Sequence, residues 1–424
     1  MTCRSCGSTH SAEILDLGLQ PLANNLLRQE DLSKPEPKFP LRLAVCQSCW
    51  LLQILDLVPP VQLFSEYLYF SSFSDLMLRH AKEAAERYIR EFSLNQQSLV
   101  VEIASNDGYC LQYFQRAQIP CLGIEPAQNI AKVAREKGID TIVEFFGAAL
   151  ARELASGAAG SNSIPPSVGS VRSVRHSHQA DLILGNNVFA HAPDTNDFVA
   201  GLRLLLKPKG RIILEFPYAA DFIEKGEFDT IYHEHVFYFS LTALEPLFAR
   251  HGLEIFQVER LPIHGGSLRL FAGHTGAHPR QLSVDQLRAE EQGKGMRSLP
   301  YYQGFAQRVL KLKSALLALL QDLRHQGKSI AAYGASAKGS TLLNFFGLGQ
   351  ETLDFVADRS TYKQGRLTPG TRLPIVPPEK LLEKMPDYTL LLTWNFADEI
   401  LEQQKAYRAK GGKFIIPIPV LKIV

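Results

Sequence analysis

Segments with the pattern of buried β-strands alternate with helix-like segments over most of this chain. The alternation begins at residue 98. It recurs after the long amphipathic segment at residues 302–326. Such an order is typical of a parallel sheet covered by helices on both faces. We predict two α/β domains, with strands at residues 98–104, 120–124, 141–146, 181–184, 211–216, 329–333, 353–357, 389–393 and 413–416. Helices are predicted at residues 75–92, 109–116, 129–137, 197–206 and 302–326.

Two late segments, residues 253–261 and 268–273, also have the character of strands, and only a turn at Gly265-Gly266 separates them. Strands joined in this way pair in the antiparallel direction. We therefore expect an antiparallel pair at the end of the first α/β sheet. A doubly wound dehydrogenase sheet would instead contain another crossover helix at this place.

Four of the six cysteines form two pairs with a two-residue gap, Cys3-x-x-Cys6 and Cys46-x-x-Cys49. That gap lets both thiolates of a pair reach one tetrahedral ion, and two pairs complete a four-sulfur zinc site. A closed site of this kind has no open coordination position, so we predict a structural role. Two disulfides are the alternative, which a reducing compartment disfavours. A zinc ribbon that binds nucleic acid is disfavoured because residues 1–60 lack a basic cluster with interleaved aromatics.

Length and composition limit the class of protein. The 424 residues suffice for two or three domains, and a formal net charge of +2 favours neither nucleic acid nor a membrane surface as a partner. No apolar run approaches the roughly 18 residues of a membrane span, and the start lacks the apolar core of a signal peptide. We therefore expect a cytoplasmic protein. Residues 156–178, dominated by Gly, Ser, Pro and Val, are expected to form a mobile surface insertion.

The segment after the first predicted strand lies where class I methyltransferases carry an acidic residue and a glycine-rich loop that approaches S-adenosylmethionine. Ala104 and Asn106 replace two of the glycines, and asparagine tolerates left-handed backbone well. Glu125 ends the second predicted strand, where a carboxylate can accept both hydroxyls of an adenosine ribose. NAD could use the same carboxylate, but the late antiparallel strands favour the methyl donor. The residues predicted to bind the donor are Glu102, Ala104, Asn106, Gly108, Glu125 and Asn186.

Two polar clusters follow the fourth and fifth predicted strands, so they should meet at one edge of the sheet. The first contains Asn187 and His191, and the second is Tyr232-His233-Glu234-His235. A histidine beside a carboxylate and a phenol suits general acid–base catalysis. A packed or hydrogen-bonding role is the alternative for His191, and still more so for His233. A second metal site is disfavoured because adjacent residues of an extended segment point to opposite sides.

The loop Gly334-Ala-Ser-Ala-Lys-Gly339 opens a helix in the second α/β unit. Backbone amides at a helix start favour an anion, and a lysine adds a point charge. We predict a diphosphate contact from Ser336 or Lys338, with a simple tight turn as the alternative. The spacing is not that of a P-loop, so no nucleotidase is inferred. Tyr69, with its neighbour Tyr67, is a candidate to close over a substrate; core or interface packing is the alternative.

Taken together, these motifs resemble the sugar C-methyltransferases, which methylate nucleotide-linked 4-keto-6-deoxy sugars. The cysteine pairs, the donor loop, the segment at residues 186–191 and the motif Tyr232-His-Glu-His-x-x-Tyr238-Phe-Ser240 occur in this order in that family. The resemblance covers nearly the whole chain; the departures are the insertion and Cys110, where the family often has an aliphatic residue. It implies a zinc-binding domain at residues 1–62, a Rossmann-like class I methyltransferase domain at 63–285, and a Rossmann-like domain that binds the nucleotide sugar at 286–424.

The resemblance also implies an activity. The protein would use S-adenosylmethionine to methylate the carbon beside the ketone, C3, of a nucleotide-diphosphate sugar, with dTDP as the expected nucleotide, in deoxysugar biosynthesis. His235 matches the family's catalytic histidine and would be the base, oriented by Glu234. Tyr232 and His191 would hold the keto oxygen or the enolate, and Asn187 would contact the sugar. The alternatives are an O- or N-methyltransferase, an NAD(P)-dependent sugar-nucleotide oxidoreductase, and a zinc-bearing binding protein without catalysis.

Overall fold

The structure, a computed structural model, describes residues 2–64, 70–157 and 179–424. Within these ranges no helix is long and apolar enough to cross a membrane. Tyr69 and almost all of the predicted insertion lie outside the described residues. The strands are β1 (Ser11–Pro21), β2 (Lys38–Cys46), β3 (Leu52–Ile54), β4 (Val100–Ile103), β5 (Cys121–Ile124), β6 (Thr141–Ile142), β7 (Ala180–Asn186), β8 (Leu206–Pro217), β9 (Phe237–Tyr238), β10 (Leu253–Leu261), β11 (Ser267–His274), β12 (Ile330–Tyr333), β13 (Val356–Ala357), β14 (Ile375–Val376), β15 (Tyr388–Leu391), β16 (Lys413–Ile416) and β17 (Lys422–Ile423).

Helices connect and cover these strands. They are α1 (Pro60–Phe64), α2 (Asp75–Glu91), α3 (Leu111–Arg116), α4 (Gln128–Glu136), α5 (Ala148–Ser156), α6 (Thr195–Leu205), α7 (Ala219–Lys225), α8 (Leu241–Arg250), α9 (Leu282–Gly293), α10 (Leu299–His325), α11 (Ala337–Phe346), α12 (Lys380–Lys384), α13 (Ala397–Gln403) and α14 (Lys405–Ala409). Three single 3₁₀ turns lie near strands: Phe189–His191 follows β7, Phe228–Thr230 lies between α7 and β9, and Trp394–Phe396 follows β15. The described strands form three sheets, which we call the N-terminal, central and C-terminal sheets.

The central sheet has the strand order β10-β11-β8-β7-β4-β5-β6. Strands β4 to β8 pair in parallel, and β4 is buried along its whole length because helices cover both faces of its apolar sequence. β11 lies between β10 and β8 and runs antiparallel to both. The predicted antiparallel pair is therefore confirmed, and the sheet has the class I methyltransferase fold.

The C-terminal sheet has the order β14-β13-β12-β15-β16-β17, with parallel pairing except for the last strand. β12 lies between two strands that both follow it in the chain, just as β4 lies between β5 and β7. At such a point the loops after neighbouring strands diverge and leave a crevice in which ligands bind. The topology therefore creates one crevice after β4 and another after β12.

The N-terminal sheet is antiparallel and has the order β1-β2-β3-β9. Its last strand comes from far along the chain, with Leu52 opposite Tyr238. Strand β9 follows the Tyr232–His235 cluster after a single residue, so this pairing fixes the cluster against the N-terminal sheet.

Hydrogen bonds also join the C-terminal region to the loop before that cluster. Thr341 Oγ1 on α11 donates to the carbonyl of Ile231 at 2.9 Å, and Trp394 Nε1 donates to Asp229 Oδ2 at 2.7 Å. Buried apolar residues from all three sheets belong to one core cluster. The loop at residues 227–236 is thus held from both sides, by the N-terminal and by the C-terminal sheet.

Candidate active site

A cavity of about 600 Å³ is lined by residues of all three regions. The loops after β4, β5 and β7 contribute most of its central part, and the loops after β12 and β15 form another wall. Glu102, Gly108 and Glu234 do not line it. The predicted site residues that do are Ala104, Asn106, Glu125, Asn186, Asn187, His191, Tyr232, His235, Ser336 and Lys338.

The loop after β4 adopts the left-handed backbone that was predicted for it. Ala104, Asn106 and Gly108 have φ angles of 51°, 50° and 76°. A Cβ atom on Gly108 would lie 2.9 Å from Cγ1 of Ile139, so a glycine is needed there for space as well as for conformation. The side chain of Asn106 accepts a hydrogen bond from the backbone N–H of Ser71 at 2.9 Å, which fastens the loop to the segment before α2.

Glu125 lies beside this loop and is 5% exposed. Its carboxylate accepts hydrogen bonds from the backbone N–H groups of Asn106 at 3.0 Å and Ala127 at 2.9 Å. Each carboxylate oxygen has a further lone pair, so the group can still accept hydroxyls of a ligand in the cavity. Burial raises the pKa of Glu125 to about 7 despite these donors.

Glu102 is placed differently from the prediction. Its carboxyl group is buried, does not line the cavity, and accepts from Nδ2 of Asn186 at a distance of 3.5 Å. Burial raises its pKa well above the ordinary value, and the neighbouring carboxyl groups of Asp107 and Glu125 raise it further. Glu102 therefore supports Asn186, which does line the cavity, and is not itself a wall residue.

Tyr232 and His235 form a hydrogen-bonded pair within one turn. The phenol oxygen of Tyr232 lies 2.5 Å from Nε2 of His235, and Nδ1 of His235 lies 3.0 Å from the carbonyl oxygen of Thr230. A carbonyl only accepts, so Nδ1 carries the proton and Nε2 has the lone pair that receives the phenol proton. The imidazole is thus in the tautomer of a base, with a phenol as its partner.

Glu234 does not take the orienting role that was predicted for it. The carbonyl of Thr230 and the phenol of Tyr232 occupy the positions at the two ring nitrogens of His235. The Glu234 carboxylate is buried and accepts from the amide of Asn24, whose Nδ2 lies 2.7 and 2.9 Å from the two carboxylate oxygens. Residues 232–235 form a turn, closed by a hydrogen bond from the backbone N–H of His235 to the carbonyl of Tyr232 at 2.9 Å, and the neighbouring side chains of this turn reach different partners.

His191 approaches the same pair from the 3₁₀ turn after β7. Its ring centroid lies 4.8 Å from that of His235, and the rings meet edge to face. Burial lowers the pKa of His191 to about 4, so the ring is neutral at neutral pH and offers one N–H donor. Such a donor can stabilise a developing oxyanion without competing for the proton.

His233 points away from the cavity. Its Nε2 lies 3.2 Å from the carbonyl oxygen of Pro40, and its ring meets that of Phe39 edge to face at 5.8 Å. The structural alternative for His233 is therefore confirmed. Among the described residues, the four cysteines are the group of His, Cys, Asp and Glu side chains arranged to hold a metal, and the 232–235 cluster is not.

The loop after β12 forms the far wall of the cavity. Gly334 has a φ of 96°, and Ser336 caps α11 by accepting from the N–H of Gly339 at 3.1 Å. Lys338 lines the cavity, with its Nζ 4.8 Å from the centroid of a Trp394 ring. Lys363 joins it from the loop after β13, and its Nζ donates to the carbonyl of Ala335 at 2.8 Å. A helix start and two lysines thus face one end of the cavity.

Sequence reasoning missed several lining residues. Asn24, Thr230, Lys363 and Thr393 all line the cavity. The hydroxyl groups of Thr230 and Thr393 are buried and make no hydrogen bond within the described part of the chain, so each can serve a ligand. Lys363, in a turn-rich segment, had a weak signal; the others had none, because only the fold brings them to the site.

The chain is similar over its whole length to the C-methyltransferase NovU of Streptomyces niveus, with 36% identity over 423 residues, 100% of this chain and 96% of that protein. The chain belongs to the C-methyltransferases. Its parts match family models in the same order, a zinc binding domain at residues 3–64, a methyltransferase domain at 77–258 and a C-methyltransferase C-terminal domain at 262–419.

Solved structures of other methyltransferases are similar to about half of this C-methyltransferase. Magnesium protoporphyrin IX methyltransferase from Synechocystis PCC 6803 with bound S-adenosylmethionine is 12% identical, with a TM-score of 0.32, and the match covers 49% of this chain and 84% of that one. The CcbJ methyltransferase of Streptomyces caelestis is 12% identical, with a TM-score of 0.32. That match covers 46% of this chain and 89% of the CcbJ chain.

This C-methyltransferase uses S-adenosylmethionine, and its residues fit that donor. The left-handed loop at residues 104–108 contributes Ala104 and Asn106 to the wall of the cavity after β4. Glu125 has acceptor capacity for ribose hydroxyls, and Asn186 lines the same region. The cofactor supplies an electrophilic methyl group on a sulfonium when it is bound.

The four cysteines fit zinc equally well. Their Sγ atoms lie within 4.8 Å of one another, and the pairs Cys3–Cys49 and Cys6–Cys46 are each separated by 3.6 Å. Zinc–sulfur bonds of about 2.3 Å in a tetrahedron place the sulfur atoms about 3.8 Å apart. The N-terminal region of this C-methyltransferase therefore holds a four-sulfur zinc centre. The centre ties the cysteine pair before β1 to the cysteine pair at the end of β2.

Proposed function

We propose that this C-methyltransferase methylates C3, beside the ketone, of a nucleotide-diphosphate-linked 4-keto-6-deoxy sugar. One observation carries the proposal: a single cavity joins Glu125 and the donor loop, the Tyr232–His235 pair, and the cationic loop at Ser336 and Lys338. A methyl donor, an acid–base pair and an anion site in one space match a keto sugar that carries a diphosphate.

The first chemical step is removal of a proton from the carbon beside the ketone. That carbon is acidic because its anion delocalises onto the carbonyl oxygen. As the substrate oxygen binds, the hydroxyl of Tyr232 donates to it, which frees the lone pair on Nε2 of His235 to accept the carbon proton. The imidazolium that forms still donates from Nδ1 to the carbonyl of Thr230.

The enolate is held while the new bond forms. His191, neutral because burial lowers its pKa to about 4, donates its N–H to the enolate oxygen alongside Tyr232. Asn187, which lines the cavity after β7, contacts the sugar. Binding both reactants in one cavity provides much of the rate, since the carbon and the methyl group are aligned before reaction.

The diphosphate belongs at the start of α11. The backbone N–H groups of the first turn, Lys338 and Lys363 supply positive potential there. We propose dTDP as the nucleotide, with residues 286–424 as the domain that binds it, residues 63–285 as the donor-binding domain and residues 1–62 as the zinc-binding domain.

The position of the methyl group in the product tests this proposal. The enzyme is incubated with a dTDP-4-keto-6-deoxy sugar and S-adenosylmethionine labelled with ¹³C in the methyl group, and the product is examined by NMR. We expect the label on C3, with one-bond carbon–carbon coupling. A label on oxygen or nitrogen would exclude C-methylation of this substrate, and consumption of reduced nicotinamide would indicate an oxidoreductase.

A further inference from the structure

Asn24 belongs to the N-terminal region but reaches the active site. It lies in the turn after β1, lines the cavity, and donates from Nδ2 to both oxygens of Glu234, at 2.7 and 2.9 Å. Glu234 is 3% exposed and is 210 positions away in the sequence. A carboxylate buried to this degree needs hydrogen-bond donors to remain charged, and the amide is one of them.

The segment around Glu234 contacts the N-terminal sheet at further points. His233 lies against the carbonyl of Pro40, and the backbone N–H of Ile54 donates to the carbonyl of Val236 at 2.9 Å. β3 and β9 then continue the pairing, with Leu52 opposite Tyr238. Residues 233–238 therefore pack along the edge of the N-terminal sheet, on both sides of His235.

The same edge of the N-terminal sheet is hydrogen-bonded to the first cysteine pair of the zinc site. Arg4, between two of the zinc ligands, donates from Nη1 to the carbonyl of Ile54 at 2.6 Å and from Nη2 to the carbonyl of Leu55 at 2.9 Å. A continuous set of contacts thus runs from the cysteine cluster through β3 to the segment that carries His235.

We propose that Asn24 is a positioning residue of the active site, which fixes the Glu234 carboxylate and through it the turn that carries Tyr232 and His235. The N-terminal sheet is then part of the catalytic machinery and not only a zinc-bearing appendage. The inference rests on the proposed function where it takes His235 as the base. A displacement of about 1 Å in such a group is enough to slow a reaction about a hundredfold.

The kinetic test compares Asn24→Ala with Asn25→Ala, its exposed neighbour of the same type. Loss of the hydrogen bonds to this buried carboxyl group predicts a kcat roughly tenfold lower in Asn24→Ala. The KM for S-adenosylmethionine should stay unchanged, because the donor loop is not touched. Asn25→Ala should behave like the unmodified enzyme. An unchanged kcat in Asn24→Ala would overturn the proposal.

A double-mutant cycle shows whether Asn24 acts through Glu234. In a Glu234→Ala background the Asn24→Ala substitution should cause no further loss of kcat, so the two effects are not multiplicative. Fully multiplicative effects would show that Asn24 acts on the substrate or elsewhere, which would overturn the positioning role.

A third measurement needs no substrate and so separates this inference from the proposed function. Hydrogen–deuterium exchange of the peptide covering residues 232–238 should be faster in Asn24→Ala than in Asn25→Ala, with no change at residues 104–108. Equal exchange in the two variants would refute the positioning role, whatever the substrate is. Failure of the unmodified enzyme to methylate the sugar nucleotide would instead count against the proposed function alone.

Discussion

Single residues in this cavity differ in protonation state because their surroundings differ. Burial lowers the pKa of His191 to about 4 and raises that of Glu125 to about 7. At neutral pH, His191 is therefore a neutral donor, while Glu125 is near its midpoint. His235 is held as a base by the carbonyl of Thr230. The states of His191 and His235 suit the roles proposed for them, and the pKa of Glu125 should make donor binding depend on pH.

Binding of the methyl donor should depend on pH through Glu125. The charged carboxylate accepts ribose hydroxyls better than the protonated form, so affinity for S-adenosylmethionine should fall as the pH drops from about 8 to 6. In Glu125→Gln the affinity should be roughly tenfold weaker and should no longer vary over this range. Isothermal titration calorimetry measures both effects, with the exposed Glu153→Gln as control. A pH dependence that persists in Glu125→Gln would assign it to another group.

The enolate donor role predicts a graded response at His191. His191→Leu removes the N–H donor, and loss of one oxyanion donor typically costs about 10²–10³ in kcat. His191→Asn retains an N–H group and should lose less. Steady-state kinetics of the two variants decide this, and equal losses in both would indicate that packing of the ring, not its donor, matters.

Sequence order was enough to place three of the residues that line the cavity, because their signal is local. Ala104, Asn106 and Glu125 sit at strand ends, where the order of a strand and a turn already implies their position. Asn24 could not be found in this way, since its partner Glu234 is 210 positions distant and only the pairing of β3 with β9 brings them together. The orienting role of Glu234 was inferred from its adjacency to His235, but in the turn at residues 232–235 the ring nitrogens of His235 contact Tyr232 and Thr230 instead.

Among the elements, long periodic segments were predicted well, and the errors fall among the short strands. The helix predicted at residues 75–92 is α2 (Asp75–Glu91), and the one at 302–326 is α10 (Leu299–His325). The strand predicted at 141–146 ends at Ile142, and Glu144, Phe145 and Phe146 line the cavity instead. β9 has only two residues and owes its existence to a partner strand, so its own sequence carries no period to detect.

The start of α11 is the element on which substrate affinity should depend. Lys338→Ala should raise the KM for the nucleotide sugar roughly tenfold, because a charge-assisted contact to a phosphate is lost. The KM for S-adenosylmethionine should not change. Lys311→Ala, which alters an exposed lysine on α10, is the matched control. If Lys338→Ala changed kcat but not this KM, the diphosphate would have to bind elsewhere.

For the whole molecule, three sheets share one core and one cavity, and the turn at residues 232–235 lies between two of them. The fold class was predictable because the strand–helix order and the cysteine spacing each define a domain type. The way the regions pack against one another was not predictable. Hydrogen bonds such as those from Thr341 to Ile231 and from Trp394 to Asp229 have no sequence signature.

Zinc should therefore affect activity as well as stability. A structural zinc site contributes folding energy directly, and loss of the metal should loosen the N-terminal sheet. Cys46→Ser should bind less than one zinc per chain, have a lower thermal midpoint and lose methyl transfer. Metal analysis and thermal unfolding measure this, with Cys121→Ser, outside the cluster, as control. Full activity in a zinc-free protein would contradict the role given to the N-terminal sheet.

The most direct test of the central claim is isotope exchange at the substrate carbon. In deuterated water, without the methyl donor, the unmodified enzyme should exchange the proton beside the ketone of the sugar nucleotide, as followed by NMR. His235→Ala should abolish the exchange, whereas His325→Ala, an exposed histidine at the end of α10, should not affect it. Undiminished exchange or methyl transfer in His235→Ala would contradict the assignment of His235 as the base that forms the enolate.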